Sequence, residues 1–281
     1  MTSEDDTKTL LLSCIEKGDP NNPILFFIHG WPDSAQIWEA QLDYFSSRYR
    51  CIAVMLPGFD ERCNSQLSFD RLEAKLRATL INKLSTNPHR KVTLVCHDWG
   101  ALFGYLLERE LSDQIDRLVT IDVGGNFHME NWRQRIGITF YQWWLIKAYI
   151  IGKVFPAIGD WLTRIMVTLL KAPKRSTPAH SEMNYLYWYF WWSLLTTGRF
   201  AAIDGNYKPS KPLLFLFGKN KPFHLHTAEW IELVNSSPKS RTLGIDSDHW
   251  VMVREPDQTN AVIDEFLATA VEESLRPKSS S

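Results

Sequence analysis

The sequence predicts an α/β fold: a mostly parallel sheet with helices on both faces, interrupted once by an inserted helical segment. Two observations predict it. Short apolar runs alternate along the chain with amphipathic stretches, the pattern left by strands joined through crossover helices. That alternation stops near Gly124 and resumes only after Tyr207, and between them helical, aromatic-rich sequence takes over. The length of 281 residues suits one α/β core with an added lobe.

In chain order the apolar runs predict strands at Leu10–Ile15, Ile24–His29, Ile52–Leu56, Val92–Cys96, Leu118–Asp122, Leu213–Phe217 and Arg241–Ile245. Helical periodicity fits Ser34–Phe45, Phe69–Leu84, Gly100–Leu111, Thr227–Val234 and Gln258–Val271. The domain reading is therefore a core of residues 1–123 and 208–281, with a cap of residues 124–207 over the C-terminal edge of the sheet. Ligands bind at that edge in open α/β sheets.

Composition narrows the function classes. At 44% hydrophobic and 22% charged the chain is ordinary globular material, and a net charge of −1 gives no reason to expect nucleic acid as a partner. Its four cysteines, Cys14, Cys51, Cys63 and Cys96, show no metal-ligand spacing and fit a reduced, cytoplasmic setting. Met1 to Lys8 is acidic and polar, unlike a signal peptide. The longest uncharged apolar run, Met183 to Gly198, is too short and too polar to span a membrane. Tryptophan is abundant: seven of twelve lie between Trp132 and Trp192.

The chemistry centres on Val92-Thr-Leu-Val-Cys96-His97-Asp98-Trp99-Gly100-Ala101, which passes from an apolar strand straight into a helical pattern. Such a strand–turn–helix presents its middle residue, here Asp98, at the sheet edge, with small residues on either side allowing close approach. Gly100 meets that need, and Cys96 stands where glycine is commoner. A carboxylate is already anionic at neutral pH and can attack an sp³ carbon without a base to deprotonate it. Taken alone, the pentapeptide is equally compatible with an aspartate that only caps the following helix.

A second motif decides between them. Cys96-His97-Asp98-Trp99-Gly100 resembles the H-D-W-G elbow of the epoxide hydrolases and haloalkane dehalogenases, a branch of the α/β-hydrolase fold. His29-Gly30-Trp31-Pro32, after the strand Ile24–His29, is similar to their H-G-x-P loop. The resemblance runs from about Leu10 to Val271. It implies an aspartate nucleophile at Asp98, and an oxyanion hole from the backbone N–H groups of Trp31 and Trp99. A tight loop flanked by glycine and proline is physically suited to aim the first of these. The alternative for Trp31 is an ordinary turn with the indole in the core.

The base that activates water is expected at His249, which follows the run Arg241–Ile245 and precedes the last helix. His29 and His97 fall at motif positions that are structural in relatives, and His224 and His226 read as surface histidines of a polar loop. The acid partner departs from the usual pattern. Phe217-Gly218-Lys219-Asn220-Lys221 puts a lysine where most α/β hydrolases carry the aspartate. Asp122, ending the strand Leu118–Asp122, is the expected substitute, as in some dehalogenases; its other reading is an anchor for the Gly124-Gly125 turn. Asp246 and Asp248 are outside candidates.

Epoxide opening needs a proton donor opposite the nucleophile, and epoxide hydrolases resemble one another in using two cap tyrosines. Tyr141 in Tyr141-Gln-Trp143-Trp144 is similar to the first; Tyr187 is the choice for the second, with Tyr185 close behind. For each tyrosine, aromatic core packing is the competing fate. Trp143, Trp144 and Tyr185 are expected to contact substrate. The implied reaction is hydrolysis of a small hydrophobic epoxide to a diol, with no cofactor or metal. The alternatives are dehalogenation by the same triad, with a cap tryptophan helping to hold the halide, and a non-catalytic binding protein, which Lys221 would favour. The cap also carries more basic than acidic residues, a surplus that either solvates its outer face or permits peripheral contact with an anionic membrane.

Overall fold

The computed structural model describes residues 11–62, 67–85, 91–126, 132–198 and 207–275. Seven strands form one sheet: β1 (Cys14–Lys17), β2 (Ile24–Ile28), β3 (Arg50–Val54), β4 (Val92–His97), β5 (Ile115–Ile121), β6 (Leu213–Gly218) and β7 (Arg241–Ile245). Their spatial order is β1-β3-β2-β4-β5-β6-β7, and only β1 runs antiparallel to its neighbour. The first strand begins later than the apolar run Leu10–Ile15 suggests. Its register is set by pairing, Cys14 opposite Val54 and Lys17 opposite Cys51, while the Leu12 N–H leaves the sheet to meet Thr79 Oγ1. Leu10 itself lies outside the described residues.

The central strands are buried on both faces, which is why they read as continuous apolar runs. Phe26, Ile28, Leu94 and Cys96 face one core with helices α2 (Phe69–Leu84), α3 (Trp99–Glu110) and α7 (Ala228–Asn235). Leu25, Phe27, Val95 and Val119 face the other, with α1 (Glu39–Phe45), α8 (Val251–Arg254) and α9 (Pro256–Leu275). The stretch predicted as one helix from Ser34 is a 3₁₀ turn, Ala35–Trp38, leading into α1. Thr227 caps α7 instead of entering it, its Oγ1 accepting the Trp230 N–H at 3.1 Å.

Between β5 and β6 the described chain is helical throughout its regular elements: α4 (Trp132–Val154), α5 (Pro156–Leu169), a 3₁₀ turn Ser181–Asn184, and α6 (Tyr185–Thr197). Helices α4 and α5 approach closely at Gly152 and Gly159: a Cβ on Gly159 would strike the α4 backbone at Gly152 and Ala148, and one on Gly152 would strike Ser181. Buried Asp160 holds the following loop, accepting the Ser181 N–H at 2.9 Å and its hydroxyl at 3.1 Å, and Arg62 from the core clamps both Asp160 and Glu182. Leu145, Ile146, Tyr149 and Leu186 join the core cluster on the α2–α3 side of the sheet. No helix among the described residues is long and apolar enough to cross a membrane.

Candidate active site

Because six of the seven strands run parallel, the residues following β2, β4, β5, β6 and β7 gather at one sheet edge. Asp98 stands between β4 and α3, at the N-cap of the helix, with φ 54° and ψ −122°. For a non-glycine residue that backbone costs on the order of 1–3 kcal/mol, so the surrounding structure has to hold it there. Asp98 N–H donates to Ile121 O at 3.3 Å, and the carboxylate sits at the N-terminus of α3, where helix N–H groups favour negative charge.

Asp98 Oδ1 accepts the Trp31 N–H at 2.8 Å, and the Trp99 N–H is a second backbone donor to this carboxylate. The two donors predicted from the sequence therefore converge on the predicted residue. Gly30 makes the approach possible: a Cβ there would drive into the Asp98 carboxylate. His29 pins the same loop from behind, Nδ1 donating to Gly30 O at 2.9 Å and Nε2 accepting the Leu56 N–H at 3.1 Å. Burial pushes its pKa down to about 4, so it stays neutral in this role.

His249 lies between two carboxylates. Its Nε2 is 3.5 Å from Asp98 Oδ2, and its Nδ1 is hydrogen-bonded to Asp122 Oδ2. Burial pulls the imidazole pKa down, but Asp122 first and Asp98 second outweigh it and raise it to about 9. Burial pushes the Asp98 carboxyl up, and His249, His97 and the Trp99 N–H together hold it below the ordinary value. Fully buried Asp122 is held far below the usual carboxylate range, because Lys221 and His249 outweigh its desolvation.

Lys221, at the usual acid position, is ion-paired to Asp122 Oδ1, which also accepts the Gly218 N–H at 3.0 Å. The lysine thus faces the aspartate expected to stand in for the usual acid. Asp122 has φ 73° and its N–H donates to Leu216 O at 2.8 Å, so β6 fixes it.

These groups line a cavity of about 300 Å³. Three non-glycine residues among those described have positive φ, namely Asp98, Asp122 and Lys171, and all three line it. Tyr141 and Tyr187 line it too, with rings 5.9 Å apart and edge-on to each other. Burial, and then the nearby carboxylate of Asp98, raise the pKa of Tyr141; burial, the Tyr141 hydroxyl and Asp98 raise that of Tyr187.

The expected substrate contacts lie elsewhere. Trp143 is 38% exposed and packs on Trp191, Trp144 Nε1 donates to Leu162 O at 2.9 Å, and Tyr185 is buried against Phe59; none lines the cavity. Each already has another packing or hydrogen-bond partner. The apolar wall is made instead by Leu169, Leu170, Phe223 and Leu225. His224 and His226 are half-buried beside Phe217, not at the surface, and burial lowers the pKa of His226 to about 4.

Two further buried polar groups support the site. Asn184 is fully buried and its Oδ1 accepts the Trp31 indole N–H at 2.9 Å, while its Nδ2 donates to Thr163 Oγ1 at 2.8 Å. Asp33 is buried, accepts the Trp250 indole N–H at 3.1 Å, and lies 3.3 Å from His97 Nδ1. His97 in turn contacts His249 O at 3.1 Å through Nε2. Asp33 follows the H-G-W-P motif directly, so its position could have flagged it. Among the described residues no group of three or more His, Cys, Asp or Glu side chains is arranged to hold a metal ion.

An elbow carboxylate, a histidine and a strand-end carboxylate on the C-terminal edge of a seven-stranded sheet define the chain as a protein of the α/β-hydrolase fold. It belongs to the alpha/beta hydrolase family, which it matches over residues 25–262. Among curated proteins it is 28% identical over 120 residues to epoxide hydrolase 1 of Caenorhabditis elegans, covering 41% of this chain and 29% of that protein. The match thus spans less than a third of that relative's length. Among solved structures it is similar to an epoxide hydrolase of Bacillus megaterium bound to an inhibitor, with TM-score 0.69, 19% identity, and 92% and 96% of the two chains covered. It is also similar to a haloalkane dehalogenase loop variant from Bradyrhizobium elkanii, with TM-score 0.67, 17% identity, and 94% and 95% covered. At these identities the structural likeness concerns the fold.

Proposed function

We propose that this chain hydrolyses small apolar epoxides to vicinal diols through an ester on Asp98, with residues 132–197 acting as a cap. The observation that carries the reading is the pairing of Tyr141 and Tyr187 on the same cavity as Asp98. The Trp31 indole is occupied, Nε1 donating to Asn184 Oδ1 at 2.9 Å, and the Trp99 ring packs edge-on against Tyr187. A halide leaving group would need such N–H donors, whereas an epoxide oxygen needs a hydroxyl proton.

In the first step an Asp98 carboxylate oxygen bonds to an epoxide carbon, the carbon–oxygen bond of the ring breaks, and the freed oxygen takes a proton from a tyrosine hydroxyl. The charge on Asp98 helps to hold both hydroxyls protonated. As the ester forms that charge is consumed, so the tyrosines become more acidic just as the proton is needed.

In the second step water attacks the Asp98 carbonyl carbon while His249 takes its proton. The Trp31 and Trp99 N–H groups hold the oxyanion. On collapse the ester carbon–oxygen bond breaks and the His249 imidazolium protonates the departing diol oxygen. The second water proton passes from the carboxyl to the tyrosinate, regenerating carboxylate and phenol. Esterification also removes one of the two charges that raise the His249 pKa, so the base becomes available after the first step. Asp122, held ionised by Lys221, keeps the imidazole oriented.

A single turnover of an epoxide by excess protein in heavy-oxygen water tests this. The first diol should lack solvent label, and label should enter Asp98 only over repeated turnovers. Label in the diol at the first turnover would exclude the ester. Halide release from haloalkanes without diol formation would reassign the leaving group.

A further inference from the structure

Most large hydrophobic side chains that the structure leaves exposed are concentrated on one part of it. Fourteen are exposed among the described residues, and all but Tyr44 and Ile81 lie between Trp132 and Leu195. On α4 they follow the helical period: Trp132, Ile136, Phe140, Trp143, Ile150 and Val154. The opposite side of α4, with Ile138, Leu145, Ile146 and Tyr149, is already buried in the core. The outward stripe is therefore surplus to folding, and an ordinary surface helix would be polar there.

The stripe turns the corner into α5 through Phe155, Ile158 and Trp161, with exposures of 58%, 48% and 60%. Farther along the same helix Leu169, 67% exposed, reaches the rim of the active-site cavity, joined there by Leu170 and Lys171. The apolar surface thus leads to the mouth of the site.

Its charge is one-sided. From Trp132 to Gly198 the sequence has eight Lys/Arg and two Asp/Glu. Both acids are turned inward: Asp160 is buried, and Arg62 from the core pairs with it and with Glu182. Arg133, Arg135, Lys147, Lys153, Arg164 and Lys171 are all exposed. Exposed tryptophan and aliphatic side chains bordered by cations, with no exposed acid among them, match the interface of an anionic bilayer. A partner copy would meet the same cations and be repelled.

We propose that this face of α4 and α5 seats the protein on an anionic lipid surface, with the cavity mouth beside it. The inference does not depend on the leaving group or the ester.

Co-sedimentation with vesicles tests it, using phosphatidylcholine alone and with about a third phosphatidylserine, at low and at 0.5 M salt. The expected result is binding to the serine-containing vesicles that falls steeply with salt. Phe155→Ser with Trp161→Ser should weaken partition by about tenfold or more. Lys147→Glu with Lys153→Glu should do so by a similar factor. All four side chains are exposed, and circular dichroism together with thermal unfolding reports that each variant is folded. Absence of binding to either vesicle would overturn the proposal, as would binding unchanged in both variants. A parent that sediments as a dimer at micromolar concentration, with the Ser variant monomeric, would assign the face to a second copy instead.

Discussion

Replacing Asp122 by asparagine keeps the shape beside His249 Nδ1 and removes the charge. Burial lowers the His249 pKa, yet Asp122 and then Asp98 bring it to about 9 against an ordinary value of 6.5. That difference corresponds to about 3 kcal/mol in favour of the imidazolium, and Asp122 supplies the larger share. Once Asp98 is esterified, Asp122 alone opposes burial. In Asp122→Asn the imidazole is then both less basic and free to take the wrong tautomer, and ester hydrolysis should slow roughly a thousandfold or more. Attack by Asp98 does not require the base and should slow less than about tenfold. The ester must therefore accumulate, visible by intact-protein mass spectrometry as an adduct of the substrate's mass on the peptide containing Asp98. The acid limb of the hydrolysis profile should also move to lower pH, because a less basic imidazole is neutral sooner as pH rises. The substitution strips Lys221 of its partner, so Asp122→Asn with Lys221→Met serves as the folding control. Steady turnover within about tenfold of the parent, with no adduct, would refute the assignment of Asp122.

Tyr141→Phe and Tyr187→Phe should each slow ester formation by about a hundredfold while leaving hydrolysis of a preformed ester nearly unchanged, as single-turnover kinetics can resolve. Equal slowing of both steps would point to a packing role. Gly30→Ala should cost at least about a hundredfold in kcat, since its Cβ collides with the Asp98 carboxylate and the Trp99 N–H. Asn184→Leu should lower stability by about 1–3 kcal/mol in urea unfolding, because the Trp31 indole N–H loses its partner inside the protein. Finally, the raised His249 pKa stabilises the fold fully below pH 6.5 and loses that contribution as pH rises through about 9. Unfolding free energy should fall across this window by up to about 3 kcal/mol, and His249→Gln should flatten the slope.

Much of this site was legible because parallel strands deliver their C-terminal residues to one edge whatever the helices do. Asp98, Asp122, His249 and the Trp31 loop all follow predicted strands, and small errors of strand boundary did not displace them. Lys221 was legible as a departure, but the ion pair with Asp122 needed the β5–β6 register to be seen. The insert was less readable. Helix α4 is apolar on both sides, so periodicity does not say which side meets the cavity; the expected contacts Trp143 and Trp144 are absent from its lining, and Leu169 and Leu170 are part of it. Asn184 was hidden for another reason: its partners Trp31 and Thr163 are distant in sequence, and a polar residue before an aromatic run carries no mark of burial. The edge strand β1 shifted because its register depends on β3, not on its own apolar run.

The juxtaposition of Asp98, His249, Asp122 and Lys221 has a consequence for what the pocket admits. Two carboxylates face an imidazolium and an ammonium, so the resting constellation is electroneutral and offers a neutral guest no net field to resist. On the proposed mechanism, esterifying Asp98 conserves that balance but moves one negative charge from the carboxylate to the tyrosine that has given up its proton. The imidazolium is left facing Asp122 alone and sheds its proton more easily than at rest. The catalytic cycle would then keep the chamber neutral while its negative pole moves from the elbow to the tyrosines, returning when the ester is cleaved.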